Sequence, residues 1–153
     1  MVGVGGVAIR DGRALLIRRG SEPLKGEWSI PGGLLELGET IIEGVARELL
    51  EETGLKVRVI ELIEVFERIF PAPPPEGAAT AGVPAAAEDP RPLYHFVILD
   101  YLCDAPEGKP CAGGDVTDVA FATEEELEKF RLTPAATRVL RKAFELARAR
   151  ATR

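Results

Sequence analysis

Between Gly33 and Leu55 the chain reads GLLELGETIIEGVARELLEETGL, and its run Arg47-Glu48-Leu49-Leu50-Glu51-Glu52 sets three carboxylates on about one turn of any helix it forms. At roughly 100° per residue, Glu51 falls about 60° to one side of Glu48 and Glu52 about 40° to the other. All three then share a face. Like charges at i,i+4 spacing, such as Glu48 and Glu52, destabilise an isolated helix by roughly a few tenths of a kcal/mol. A fold that keeps this arrangement needs something to offset the repulsion. Magnesium is held by one or two carboxylates while waters and substrate phosphates complete its octahedron, so a phosphate-handling metal site is one answer. A solvated acidic face is the bland alternative, and the three glutamates taken alone favour it.

The flanking residues say how such a helix is built. Thr40-x-x-Glu43 has capping-box spacing, with Thr40 as N-cap and Glu43 at N3. The helix is predicted to run from about Ile41 to Thr53 and to end on Gly54 as a left-handed C-cap. Ile42, Val45, Ala46 and Leu49 recur at helical spacing and are expected to face the core, with Glu48 and Glu52 bordering that face. Arg47 lies one turn from both Glu43 and Glu51 and can steady the acidic cluster, although for Glu43 an ordinary surface pair is the preferred reading. Upstream, Pro31-Gly32-Gly33 predicts a tight turn whose glycines let backbone approach a ligand closely.

Elsewhere the pattern is mostly extended. Val4 to Arg10 and Ala14 to Arg19 are apolar runs split by Asp11-Gly12, a hairpin signal. Ser21 to Glu27 reads as a loop that leads through Trp28-Ser29-Ile30 to the glycines. Lys56 to Phe66, reaching towards Ile69, reads as a strand, and Leu93 to Leu102 as a central one. Val116 to Ala122 reads as a further strand, Glu124 to Phe130 as a short helix, and Pro134 to about Ala149 as a terminal helix with Pro134 at N1. Strands interrupted by one helix and closed by another predict an α+β layered domain, and 153 residues suit one domain spanning the chain. Between Pro71 and Pro92 the residues are almost wholly Pro, Ala, Gly and small polar ones, which predicts a flexible surface loop, with a lid or specificity loop as the functional alternative.

Composition narrows the partners. With 19 basic and 25 acidic side chains the formal net charge is -6, and no dense basic stretch occurs, which argues against a nucleic-acid polymer. A small anionic substrate remains compatible where metal and local arginines oppose its charge. The first residues, MVGVGGVAIRDG, carry neither a charged leader nor an apolar run long enough for a membrane span, so a cytoplasmic location is expected. Cys103 sits in an apolar run and Cys111 in a Gly/Pro-rich one, which favours buried or incidental thiols over a zinc site or disulfide.

Gly33, Glu39, Arg47, Glu48, Leu49, Glu51, Glu52, Gly54 and Leu55 resemble the Nudix hydrolase signature at every specified position. So many fixed positions at fixed spacing leave little room for chance, and this reverses the odds against the bland acidic face. The resemblance implies an α/β/α sandwich with a mixed central sheet, and hydrolysis of nucleoside diphosphates linked to another moiety. It also implies magnesium on Glu48, Glu51 and Glu52, with the Gly33 carbonyl as helper. Manganese is a substitute, because both ions prefer oxygen ligands. A bound cation would neutralise nonbridging oxygens and activate water for in-line attack.

For the general base, the resemblance leaves Glu52 and a loop acid open. Asp115, after Gly113-Gly114, is better placed than Asp118, and a turn aspartate bonding its own backbone is the alternative for it. Family members often place a phosphate-binding arginine near Arg18 and Arg19, which alternation puts on opposite faces. Trp28 and Phe66 are stacking candidates that suit a core role equally, and Phe70 at the mouth of the proline-rich loop is another. His95, the sole histidine, is read as structural. Pro71, sixteen residues beyond Leu55, resembles the marker proline of ADP-ribose pyrophosphatases. The favoured substrate is therefore a nucleoside diphosphate sugar such as ADP-ribose. A nucleoside triphosphate sanitising activity is the alternative, and a non-catalytic regulatory module is disfavoured by the intact carboxylates. A homodimer is expected from the resemblance alone.

Overall fold

A computed structural model describes residues 1–22, 24–71, 92–105 and 107–152. The first two apolar runs form β1 (Val2–Arg10) and β2 (Arg13–Arg19). They are joined through Asp11 and Gly12 at φ 51° and 74°, the two left-handed residues that a tight hairpin turn requires. The other strands are β3 (Trp28–Ser29), β4 (Gly32–Leu34), β5 (Arg58–Pro71), β6 (Pro92–Asp104) and β7 (Val116–Ala122). They make one mixed sheet in the order β3-β2-β1-β6-β5, with β4 also paired to β1 and β7 to β2. β1 is the hub, antiparallel to β2 and β4 and parallel to β6.

Alternation along β1 divides the core between two helices. Val4 and Ala8 pack with Leu15, Cys103 and the fully buried Val45 and Leu49 of α1 (Ile41–Thr53). Val7, one register step away, packs with Leu16, Leu102 and the Val139, Leu140 and Phe144 of α2 (Pro134–Ala151). Each such aliphatic side chain contributes about 1.5–3 kcal/mol by leaving water. The product is a sheet with a helix on either side, as expected.

Several local expectations change. Pro31-Gly32-Gly33 does not form a tight turn, because Gly32 and Gly33 continue as β4 against Gly5 and Val4. Their smallness serves close approach: a Cβ on Gly32 would lie 2.3 Å from the Val4 carbonyl oxygen. In α1, Ile42 is 48% exposed, whereas Gly44 and Glu48 are buried. The helix leans on its glycine side, where a Cβ at position 44 would come within 2.7 Å of Leu35, and this turns Ile42 outward. β5 runs on through Pro71 and β6 starts at Pro92, both longer than their apolar patterns. The flexible-loop reading falls on 72–91, outside the described residues. The short helix is a 3-10 turn, Glu125–Phe130.

Candidate active site

The acidic helix starts and stops where its caps dictate. The Thr40 hydroxyl accepts from the Glu43 amide at 3.2 Å, and the Glu43 carboxylate accepts from the Thr40 amide at 2.8 Å. Gly54, at φ 72°, closes the other end by donating to the Leu50 carbonyl. Glu43 is thereby committed to the cap.

Arg47 organises the remaining acids. Its Nε and Nη2 donate to the two oxygens of Glu39, Nη1 donates to Glu48 at 2.9 Å and Glu51 at 3.2 Å, and Nη2 also reaches the Leu34 carbonyl at 3.0 Å. The same contacts raise the guanidinium's own pKa, led by the bond to Glu39. A single planar fork thus ties the β4 exit, the segment before the helix and the acidic turn together. Sequence spacing could not place Glu39 on Arg47, because Glu39 precedes the N-cap, where helical spacing no longer says which way a side chain faces.

The three carboxylates do not sit alike. Glu48 is buried against Gly33, where a Cβ would lie 2.4 Å from its Oε1, and burial raises its pKa against the opposing pull of Arg47. Glu52 accepts the Gly32 amide at 2.9 Å. Burial pushes it up to about 7, and the charges of Glu48 and Asp115 add to this while the Gly32 bond and Arg19 oppose it. Glu51 is exposed and leans towards Arg47, its nearest counter-charge. Among the described residues no three acidic, histidine or cysteine side chains converge closely enough to hold a metal ion. The donor chemistry nonetheless fits a hard divalent cation. Glu48 and Glu52 are oxygen donors held out of water, and the repulsion between them is what a cation relieves.

Asp115 belongs to a loop strapped to the end of α1. The Gly113 amide donates to the Glu52 carbonyl at 3.1 Å, the Cys111 amide to Thr53 at 2.9 Å, and the Gly20 amide to the Asp115 carbonyl at 2.7 Å. The exposed Asp115 side chain is thus close enough to influence Glu52. Asp118 instead accepts from its neighbour's amide. Arg18 and Arg19 diverge as alternation demands: Arg18 donates outward to the Gly26 carbonyl, while Arg19 lines a cavity and acts electrostatically on Glu52.

That cavity, of about 350 Å³, lies along β4 and the facing surfaces of β6 and β5. Trp28 forms part of its wall and is braced edge-on by Phe130 at 5.1 Å. Phe66, Phe70 and Phe96 also line it, with the Arg68 guanidinium 5.2 Å over the Phe70 ring. Sequence reading missed Asp100, which is 4% exposed and lines the same cavity. The signal was present: an aspartate interrupts the otherwise apolar and aromatic LYHFVILDYL. His95 stands apart, exposed and bonded to Glu67 at 2.6 Å.

Comparison with known proteins agrees with this architecture. The NUDIX domain family model matches residues 1–143. An ADP-ribose pyrophosphatase of Methanocaldococcus jannaschii is 32% identical over 128 residues, which cover 84% of this chain and 64% of that one. The chain therefore spans less than two thirds of that relative's length. A MutT-like protein of Streptomyces ambofaciens is 36% identical over 129 residues, covering 84% and 67%. Among solved structures, a MutT NUDIX hydrolase from Burkholderia pseudomallei superposes with a TM-score of 0.69 at 28% identity, covering 92% of this chain and 95% of the other. The NUDIX domain of Shewanella oneidensis NrtR, solved with ADP ribose, superposes with a TM-score of 0.70 at 19% identity, covering 96% and 88%, and supports the fold alone.

Proposed function

The chain belongs to the NUDIX domain family, and from that premise we propose that it is a divalent-metal-dependent pyrophosphohydrolase acting on a nucleoside diphosphate sugar of the ADP-ribose kind, releasing a nucleoside monophosphate and a sugar phosphate. One observation carries this reading. The aromatic-walled cavity is bordered by Gly32 and Gly33, and Glu52 and Glu48 sit directly against those same two glycines. A substrate with a planar group in the cavity would present its pyrophosphate to the acids across that strip.

In this reading Glu48 and Glu52 hold the cation, magnesium or manganese, with the Gly33 carbonyl assisting and Glu51 available once it leaves Arg47. The cation supplies charge neutralisation and an activated water. Arg47 fixes the carboxylates in place, Arg19 opposes the substrate's negative charge, and Glu52 or Asp115 takes the proton. The M. jannaschii relative's name supports the ADP-ribose choice. The MutT-like relative supports the second reading, a nucleoside triphosphate pyrophosphohydrolase. No helix among the described residues is long and apolar enough to cross a membrane; a cytosolic homodimer is part of the proposal.

The test is a product assay over ADP-ribose, NADH, diadenosine polyphosphates and nucleoside triphosphates, with magnesium and with chelator. Release of AMP and ribose phosphate, abolished by chelation and lowered by about a hundredfold or more in Glu52→Gln, is the expected result. Unchanged turnover in Glu52→Gln removes that residue from the site, and preference for triphosphates favours the second reading.

A further inference from the structure

Gly32, Gly5 and Asp100, which line the cavity, are successive partners in one row of the sheet across β4, β1 and β6, and Glu64 of β5 continues the row. A glycine beside the acid leaves its carboxyl room, because a Cβ on Gly5 would lie 2.2 Å from Asp100 Oδ1 and force it to shift. Glu64 is already engaged by Arg138 and Lys142 of α2. Asp100 is not: no described residue hydrogen-bonds its carboxyl. No described side-chain oxygen sealed from solvent lacks a partner, so the Asp100 oxygens must open into the cavity. A buried acid with no internal partner costs stability and is retained where a ligand completes it.

The chemistry of that ligand follows from the surroundings. Along the same face the next cross-strand pairs are Ile98 with Phe66 and Phe96 with Arg68, so the acid stands beside the apolar Ile98 and Phe66, a surface suited to an aromatic ring, with the Arg68 guanidinium farther along. A phosphate is repelled by the acid and belongs at the β4 end of the cavity, near Arg19 and the Gly32–Gly33 strip, two strands from Asp100. Whether ionised or neutral, a carboxyl keeps an oxygen that accepts, so a ring edge that carries a donor is matched in either state. We propose that Asp100 is the specificity-determining residue of the cavity and accepts a hydrogen bond from the exocyclic amino group of the substrate's adenine. This rests on the reading above that the cavity holds the nucleoside half of the substrate.

Binding of nucleoside monophosphates, measured by calorimetry, tests this without turnover. The wild-type protein should bind AMP at least about tenfold more tightly than purine riboside monophosphate, which lacks only the amino group. In Asp100→Ala that ratio should collapse towards one. In the near-isosteric Asp100→Asn, whose amide can also donate, IMP should gain on AMP by several-fold, a change that a purely structural role does not produce. Melting curves establish that each variant is folded, and if Asp100→Ala is not, the wild-type and Asp100→Asn ratios decide. A wild-type ratio near one, a ratio unchanged in the folded variants, or no AMP binding overturns the proposal. Discrimination by Asp100 without hydrolysis of any substrate in the product assay would instead sink the proposed reaction and leave the recognition role standing.

Discussion

Arg47 meets Glu39 edge-on, Nε to Oε1 at 2.6 Å and Nη2 to Oε2 at 3.0 Å, leaving Nη1 to reach Glu48 and Glu51. Two parallel bonds fix the guanidinium plane, and that plane fixes where the helix carboxylates stand.

Arg47→Lys should therefore behave almost as badly as Arg47→Ala. An ammonium cannot span Glu39 and Glu48 together. Steady-state kinetics should show kcat reduced by about a hundredfold in both, since a displacement of about 1 Å in a reacting geometry has that effect. Full activity in the lysine variant would show that charge, not orientation, is what Arg47 supplies.

Gly33→Ala separates site geometry from fold stability. The added methyl would overlap the Glu48 carboxylate, the end of a flexible side chain, whose atoms are its three nearest neighbours. Melting temperature should shift little, corresponding to less than about 1 kcal/mol, while activity falls at least about tenfold as Glu48 is displaced. A large loss of stability with normal activity per folded molecule would contradict this division.

Asp100 should make the protein less stable as pH rises. Burial, then the neighbouring Glu64 charge, pushes its carboxyl up to about 7. The unfolded chain gives up the same proton near the ordinary aspartate value, so between roughly pH 4 and 7 the folded state binds more protons. Its contribution is then present at low pH and lost as pH climbs to about 7, beyond which it is flat. Asp100→Asn should remove that slope and gain on the order of 2 kcal/mol at pH 8, as read by urea unfolding across pH.

Glu64, the next residue in the same row, should act in the opposite sense. The Arg138 hydrogen bonds, then Lys142, hold its carboxyl down at about 2. The unfolded chain takes up that proton at the ordinary glutamate value, so the stabilisation is complete above roughly pH 4.3 and disappears as pH falls towards 2. Arg138 and Lys142 are each 47% exposed, and solvent screening limits the contribution to about 1 kcal/mol. Glu64→Gln should flatten the acid side of the stability profile by that amount.

The reach of sequence reading followed the range of the forces involved. The acidic helix was legible to the residue, from Ile41 to Thr53, because its caps and periodicity are local. The hairpin turn at Asp11-Gly12 was legible for the same reason. Gly32 and Gly33 were misread as a turn because their smallness answers to Val4 and Glu48, neighbours that only the folded sheet supplies. Ile42 was misplaced because the lean of α1 depends on Leu35 packing at Gly44. The cluster of carboxylates was visible, but not that one Arg47 nitrogen bridges Glu48 and Glu51 while Glu52 is held separately by the Gly32 amide. Asp100 went unremarked because its row partners Gly5 and Glu64 come from opposite ends of the fold's first half.

β1 sits at the centre of the sheet although it is made first, and its parallel partner arrives far later, with Val2 meeting Val97 and Ala8 meeting Cys103. Closing so distant a pairing carries a large loop entropy before any contact repays it. The hairpin of β1 and β2 and the capped α1 can assemble early, but they leave one edge of an apolar strand open until β6 has been synthesised. Refolding should accordingly be slow for a chain of this size, and the half-made protein should be the species most prone to associate with its own kind.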